Sequence, residues 1–266
     1  MKKYNDLTVV MTWYGQEDHL FNQCEFYNRM AQKYGYRPRV IIINDGHEDG
    51  REYFRDTIRI HKERFDLMGI DVMKDMGFNS HACKNLAMKF VKTDWVLLSD
   101  VDCYESMGMY HYLRFEKDLD PNMYYVPKAD METPEEMSAY ELLCRKGIIK
   151  YITHPNIWIM TREAFWSTGG YDLEFQGVRH GDGEFYLGIG RPGYKEWDYE
   201  LLSNSDKHRI IVKTPKRDPF YIRQEKEKQK EAANLIDFIR IRNKNPYRKY
   251  RKKLYNFPYQ VLWQNK

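Results

Sequence analysis

The sequence predicts an α/β domain built on a parallel sheet with helices on both faces, followed by a basic helical extension. Three observations carry this reading. Short apolar, β-branched runs alternate with helix-periodic stretches through about the first 130 residues, the pattern that builds parallel sheets. The 266 residues suffice for one large domain with an appendage, whose core needs neither metal nor disulfide to fold. Charge is also uneven: from Lys207 to Lys266 there are 18 Lys and Arg against 5 Asp and Glu, a surplus of 13 that leaves the other 206 residues at −9. An acidic body with a basic end suggests a polyanionic partner.

The elements follow in order. Leu7–Trp13 (LTVVMTW) is a buried-strand run. Asp18 to Tyr34 places Leu20, Cys24, Tyr27, Ala31 and Tyr34 on one helical face, and Gly35 is suited to end it. Arg39–Asn44 is a second buried strand closed by Asp45-Gly46, and a polar helical stretch from Glu52 to Phe65 leads to a weak strand at Ile70–Met73. Ser80 to Lys92 reads as a helix with Ser80 as N-cap, and Trp95–Ser99 as the fourth strand. Beyond Asp102 the pattern predicts a helix over Ser106–Leu119, a strand at Met123–Val126 and a mobile loop from Lys128 to Glu136. A strand at Asn156–Met160, a short helix at Arg162–Trp166 and a tight turn at Gly169-Gly170 follow. From Asp218 onward the pattern is helical and charged, broken at Pro246. The domain division is therefore 1–215 for the α/β body and 216–266 for the basic, aromatic-rich extension.

Several classes are excluded. No run approaches the roughly 18–20 apolar residues of a membrane span, and the start is too short in apolar residues for a secretory signal. Cys24, Cys83, Cys103 and Cys144 are spread singly, without zinc-site spacing or disulfide density, so a cytoplasmic location is expected. Tyr14-Gly15-Gln16-Glu17 after the first strand lacks the glycine-rich phosphate loop of a Rossmann dehydrogenase or P-loop kinase.

The chemistry concentrates in Leu97-Leu98-Ser99-Asp100-Val101-Asp102. Two carboxylates lie two residues apart past the carboxyl end of a buried strand. Period-two alternation aims both into the crevice where open α/β sheets bind ligands. Mg²⁺ or Mn²⁺ commonly takes one or two carboxylates plus substrate phosphates, so the pair suits a cation bridging protein to a diphosphate.

The arrangement resembles the GT-A glycosyltransferases, especially the family 2-like group, from about Leu7 to Gly193. That resemblance implies a Rossmann-like mixed sheet binding a nucleoside-diphosphate sugar, and inverting transfer to an acceptor hydroxyl. It places Tyr14 at the aromatic turn after the first strand. Asn44-Asp45-Gly46-His47-Glu48-Asp49 stands at the acidic turn that contacts the nucleobase, with Asp45 carried over and Asn44 replacing the first acid. Gly77 to Asn85 is similar to the family's G-x-x-x-A-R-N segment, with Lys84 where Arg is usual. The resemblance makes Asp100 and Asp102 the D-x-D pair, Asp102 the direct Mn²⁺ or Mg²⁺ ligand, and Tyr14, Asp45, Lys84 and Asp100 donor-binding residues. Gly169-Gly170-Tyr171-Asp172 looks like the family's acceptor-side turn. Asp182 and Glu184 carry over as acids, leaving the catalytic base open between them, and His208 stands for the late histidine that completes the metal shell.

The acceptor is where the basic end matters. Phosphate neutralisation by Lys and Arg, with Tyr250, Tyr255, Phe257, Tyr259 and Trp263 available for stacking, suits DNA carrying a hydroxymethylated base; an anionic membrane bearing a glycan acceptor is the rival, through peripheral contact. Two other classes compete with the enzyme as a whole. One is a nucleic-acid-binding protein on a catalytically dead scaffold, which has no reason to keep Asp45, Asp100, Asp102 and Asp182. The other is a nucleotidyltransferase, which would ordinarily show a glycine-rich phosphate loop after Trp13.

Overall fold

The computed structural model describes residues 6–76, 79–105, 109, 110, 113, 119–127, 129–131, 157–173, 185, 198–202, 210–212 and 257–263. In chain order the elements are β1 (Leu7–Trp13), α1 (Glu17–Tyr34), β2 (Arg39–Asn44), α2 (Arg51–His61), β3 (Leu67–Val72), α3 (Ser80–Ala87), β4 (Trp95–Asp100) and β5 (Cys103–Glu105). They continue with β6 (Met123–Pro127), β7 (Ala129–Met131), β8 (Trp158–Thr161), α4 (Arg162–Ser167), β9 (Asp198–Leu202), β10 (Ile210–Val212) and β11 (Tyr259–Trp263).

Eight strands form the main sheet in the order β11-β3-β2-β1-β4-β8-β6-β9. The block β3-β2-β1-β4 is parallel, β8 runs antiparallel to both β4 and β6, and β9 is parallel to β6. A second sheet holds β5-β10-β7. The alternation of the strands splits the core between two faces. Val9, Met11, Trp13, Val40, Ile42 and Leu97 pack with Leu20, Cys24, Tyr27 and Met30 of α1 and with Phe54 and Ile58 of α2. Val10, Ile41, Ile43, Val96 and Leu98 point the other way, to Ala82, Cys83 and Leu86 of α3 and Phe165 of α4. Each fully buried large apolar side chain contributes roughly 1.5–3 kcal/mol. That is why continuous apolar runs, rather than alternating ones, mark these strands.

The expected elements of the first hundred residues are present, with shifted ends. Gly35 closes α1 in the left-handed region at φ 61°, its N–H donating to Ala31 O. Helix α3 begins after Asn79, and Ser80 is its first residue rather than the cap. The reason is that Ser80 Oγ is taken by Thr12 Oγ1 at 2.8 Å, while Asp45 Oδ2 accepts from the Asn79 N–H at 2.9 Å. Strand β3 starts three residues earlier than its apolar content suggests, at Leu67. Of the helix expected over Ser106–Leu119, Met109 and Tyr110 are described and helical. Cys24, Cys83 and Cys103 are free and buried, and Cys144 lies outside the described residues.

Two expectations need correction. The mobile loop placed at Lys128 to Glu136 contains β7, which pairs in parallel with β10. The strand is only three residues long, and its partner is about 80 positions away, so no local pattern marks it. The extension 216–266 was expected as helix, yet its described end is a strand: Tyr259–Trp263 pairs antiparallel with β3, and Met73 N–H donates to Pro258 O. Aromatic and β-branched residues at Tyr259, Val261 and Trp263 fit a pleated edge better than a helix. The chain thus returns to the first sheet after the basic stretch. Among the described residues, no helix is long and apolar enough to cross a membrane.

Candidate active site

The carboxyl ends of β1, β2 and β4 meet at one edge of the parallel block. Trp13 pairs with Asn44 and Thr12 with Asp100, which brings Tyr14, Asp45 and Asp100 together from three separate parts of the chain. Asp45 N–H donates to Trp13 O, and Val101 N–H to Thr12 O, so each acidic turn is tied to the end of β1.

Asp45 is buried, and its carboxylate faces α3: Oδ2 accepts from Asn79 N–H, and Oδ1 accepts from Cys83 Sγ at 3.2 Å. Burial, reinforced by the Asp45 charge, pushes the Cys83 thiol well above its ordinary value, so it stays protonated and able to donate. Asn44, standing where the resemblance has a first acid, shapes the turn instead. Its Oδ1 accepts from His47 N–H, and its Nδ2 donates to Asp71 at 2.9 Å. An acid at position 44 would face the Asp71 carboxylate directly. Tyr14 is half-buried, edge-on to His47 at 4.8 Å, and its hydroxyl donates to Asp75 Oδ2 at 2.8 Å.

Lys84 on α3 is fully buried and reaches Asp100 Oδ1 at 2.8 Å. The same oxygen accepts from Thr12 Oγ1 at 3.0 Å. The Lys84 charge therefore acts on the crevice through Asp100, whose side chain is 18% exposed. Strand β4 ends at Asp100, so the alternation argument stops there; Asp102 lies in the following turn and is half-buried. Hard carboxylate oxygens at these two positions fit a divalent cation that takes the rest of its shell from phosphates. Among the described residues no group of three or more His, Cys, Asp or Glu could hold a metal by itself.

Asp182, Glu184 and His208 lie outside the described residues. The nearby glycine turn is described. Gly170 has φ 72°, and a Cβ there would meet Asn85 Oδ1 at 2.7 Å. Asn85 accepts from Tyr171 N–H and donates to Tyr171 O, so the end of the Gly77–Asn85 segment pins the Gly169–Asp172 turn to α3. Trp158 belongs to the core, edge-on to Tyr124 and Phe185.

Sequence reasoning missed the buried polar residues Thr12, Gln23 and Glu105 that brace this site, and Asp71, which bonds Asn44 from β3. Glu105 on β5 accepts from Ser99 Oγ at 2.8 Å and Tyr27 hydroxyl at 3.3 Å; burial outweighs these bonds and raises its carboxyl from the ordinary value to about 7. A signal existed for Gln23 alone, a polar residue inside the apolar stripe of Leu20, Cys24 and Tyr27.

No protein-family model and no curated protein sequence matches the chain. Solved structures do. The crystal structure of GalNAc-T7 with UDP, GalNAc and Mn²⁺ matches with a TM-score of 0.55 at 14% identity, over 80% of this chain and 44% of that one. The mannosyltransferase PcManGT from Pyrobaculum calidifontis, in complex with GDP-Man and Mn²⁺, matches with a TM-score of 0.56 at 17% identity, over 81% and 59%. S. aureus TarS 1-349, in complex with UDP-GlcNAc, matches with a TM-score of 0.56 at 12% identity, over 80% and 60%. This chain has the GT-A fold. It spans between 44% and 60% of the length of those three chains. In a GT-A frame the edge built by Tyr14, Asp45, Lys84, Asp100 and Asp102 lies at the carboxyl ends of the parallel strands, where open α/β sheets take their ligands.

Proposed function

We propose that this protein is a metal-dependent glycosyltransferase, moving a sugar from a nucleoside-diphosphate sugar to an acceptor hydroxyl with inversion. The observation that carries the reading is the convergence of Tyr14, Asp45, Lys84 and Asp100 on one strand-end crevice of a GT-A fold, with Asp102 in the adjoining turn. Each of the three solved structures above contains a nucleotide or nucleotide sugar, two of them with Mn²⁺.

In this reading Tyr14 and Asp45 flank the nucleobase. Asp45 is held in place by the Asn79 N–H and the Cys83 thiol at the start of α3. Asp100 and Asp102, with His208, would hold Mn²⁺ or Mg²⁺. When bound, the cation supplies Lewis-acid neutralisation of the charge that develops on the departing diphosphate. Lys84, buried behind Asp100, adds a fixed positive charge on the same side. The acceptor oxygen forms its bond to the anomeric carbon as the bond to the diphosphate breaks, and Asp182 or Glu184 takes the hydroxyl proton.

The acceptor in this reading belongs to a polyanion. The surplus of 13 positive charges from Lys207 to Lys266 favours DNA bearing a hydroxymethylated base, flipped out to reach the base catalyst. A glycan at an anionic membrane would use the same charges through peripheral contact. The test is to incubate the protein with a panel of nucleotide sugars and Mn²⁺ and measure nucleoside-diphosphate release. Release with one donor, lost on chelation, is expected. No release with any donor overturns the reading. Salt-sensitive retention on DNA, compared with anionic vesicles, then decides the acceptor.

A further inference from the structure

Gln23 lies on the buried face of α1 and is fully enclosed. Its Nε2 donates to two carbonyls, Val101 O at 3.1 Å and Cys103 O at 2.7 Å. These are the carbonyls on either side of Asp102. Both partners accept only, so the carboxamide must face them nitrogen-first; turned over, its oxygen would meet two carbonyl oxygens. In this orientation Oε1 is buried and makes no hydrogen bond among the described residues. Leaving a buried amide oxygen unsatisfied is unfavourable, and an aliphatic side chain would fill the same place beside Leu20 and Cys24 without that cost. The orientation is explained by the two bonds it makes to the acidic turn. The rest of the turn is tied from the sheet: Val101 N–H donates to Thr12 O, and Ser99 Oγ donates to Glu105 Oε1. Gln23 ties the turn backbone to α1, while His19 and Tyr27 of the same helix bond the Tyr104 hydroxyl and the Glu105 carboxylate in the strand that follows.

We infer that Gln23 is a positioning residue for the acidic turn, fixing the backbone on both sides of Asp102 so that its carboxylate is held ready for a divalent cation. The inference rests on the glycosyltransferase reading, in which Asp102 is a metal ligand. Gln23 touches neither cation nor donor; it acts through the Val101 and Cys103 carbonyls. With both carbonyls held by one amide, the turn is ordered before the cation arrives, and binding does not have to order it.

The experiment titrates Mn²⁺ into the full-length protein with UDP and, separately, with GDP, reading free Mn²⁺ by electron paramagnetic resonance. Melting temperature is measured in parallel. Gln23→Met keeps the length and removes the donor; its Mn²⁺ affinity is expected to fall about 10-fold or more, as it does when outer partners of metal ligands are lost. Leu20→Ala, in the same helix face, is expected to lower the melting temperature and leave Mn²⁺ affinity unchanged. Unchanged affinity in Gln23→Met overturns the inference. So does an equal loss of affinity in Leu20→Ala, which would make the effect a general loosening of α1. If Gln23→Met does not fold, Gln23→Asn takes its place, its amide one methylene short, and unchanged affinity there overturns the inference in the same way. If the unaltered protein binds no Mn²⁺ with either nucleotide, the glycosyltransferase reading itself fails and the inference falls with it.

Discussion

Two buried ion pairs sit on opposite sides of β2, and they are built with opposite polarity. Near the end of β3 the acid is inside: Asp71 is 0% exposed, met by Arg51 at 3.3 Å and Arg55 at 2.7 Å, whose side chains reach solvent. At the strand-end crevice the base is inside: Lys84 is 0% exposed, and Asp100 carries the exposed surface. The first arrangement closes on itself, with Asn44 adding a further bond to the enclosed carboxylate. The second leaves a carboxylate facing outward with a fixed cation behind it. A closed pair holds the end of a strand; an open one can exchange part of its partnership for a ligand. Glu105 is a third case, an acid enclosed by hydroxyls with no cation against it among the described residues, and burial raises its carboxyl to about 7.

The sharpest way to break the comparison is at the open end. Asp102→Ala is expected to abolish Mn²⁺-dependent donor binding while the fold persists, because Asp102 is half-buried in a turn. Calorimetry with and without Mn²⁺ checks it, and unchanged donor affinity would remove the metal from this turn. Asp100→Ala removes the carboxylate 2.8 Å from a buried cation and is expected to cost about 3–5 kcal/mol in denaturant unfolding. Adding Lys84→Met should restore most of that stability without restoring donor binding, since the charge to be compensated is gone while the ligand is still missing. If the double variant is no more stable than Asp100→Ala, the pair is not coupled as described.

The acid without a cation is tested by pH. Glu105 has a folded pKa raised to about 7, so its contribution to stability is present below the unfolded value and is lost as pH rises through 7. Glu105→Gln should flatten that dependence, which is on the order of 3 kcal/mol from the shift. Equal slopes in both proteins between pH 5 and 7 would mean the carboxyl is not enclosed. The smallest effect is expected at the closed pair. Asp71→Ala should cost about 1–3 kcal/mol, because Arg51 and Arg55 can turn to solvent once released. A loss as large as that of Asp100→Ala would erase the distinction between the two pairs.

Periodicity and composition were enough for β1, α1, β2 and β4, because continuous apolar runs and a helical stripe are local records of burial on two faces. The resemblance in the motifs named the GT-A fold, and the order of Tyr14, Asp45, Lys84 and Asp100 along the chain anticipated which strand ends would meet. Local patterns did not extend to β5, β7, β9, β10 and β11. These are strands of three to five residues whose partners are distant, and only pairing makes them strands. At Tyr259–Trp263 the preceding run of positive charge masked an alternating pattern that β3 completes. Tertiary structure alone decided which side of each ion pair is enclosed. In the sequence Asp71 and Asp100 are both acids beside apolar strand runs, with nothing local to show which would be enclosed. Burial of the first and partial exposure of the second follow from what packs against them: two arginines of α2 over one, and a buried lysine of α3 behind the other.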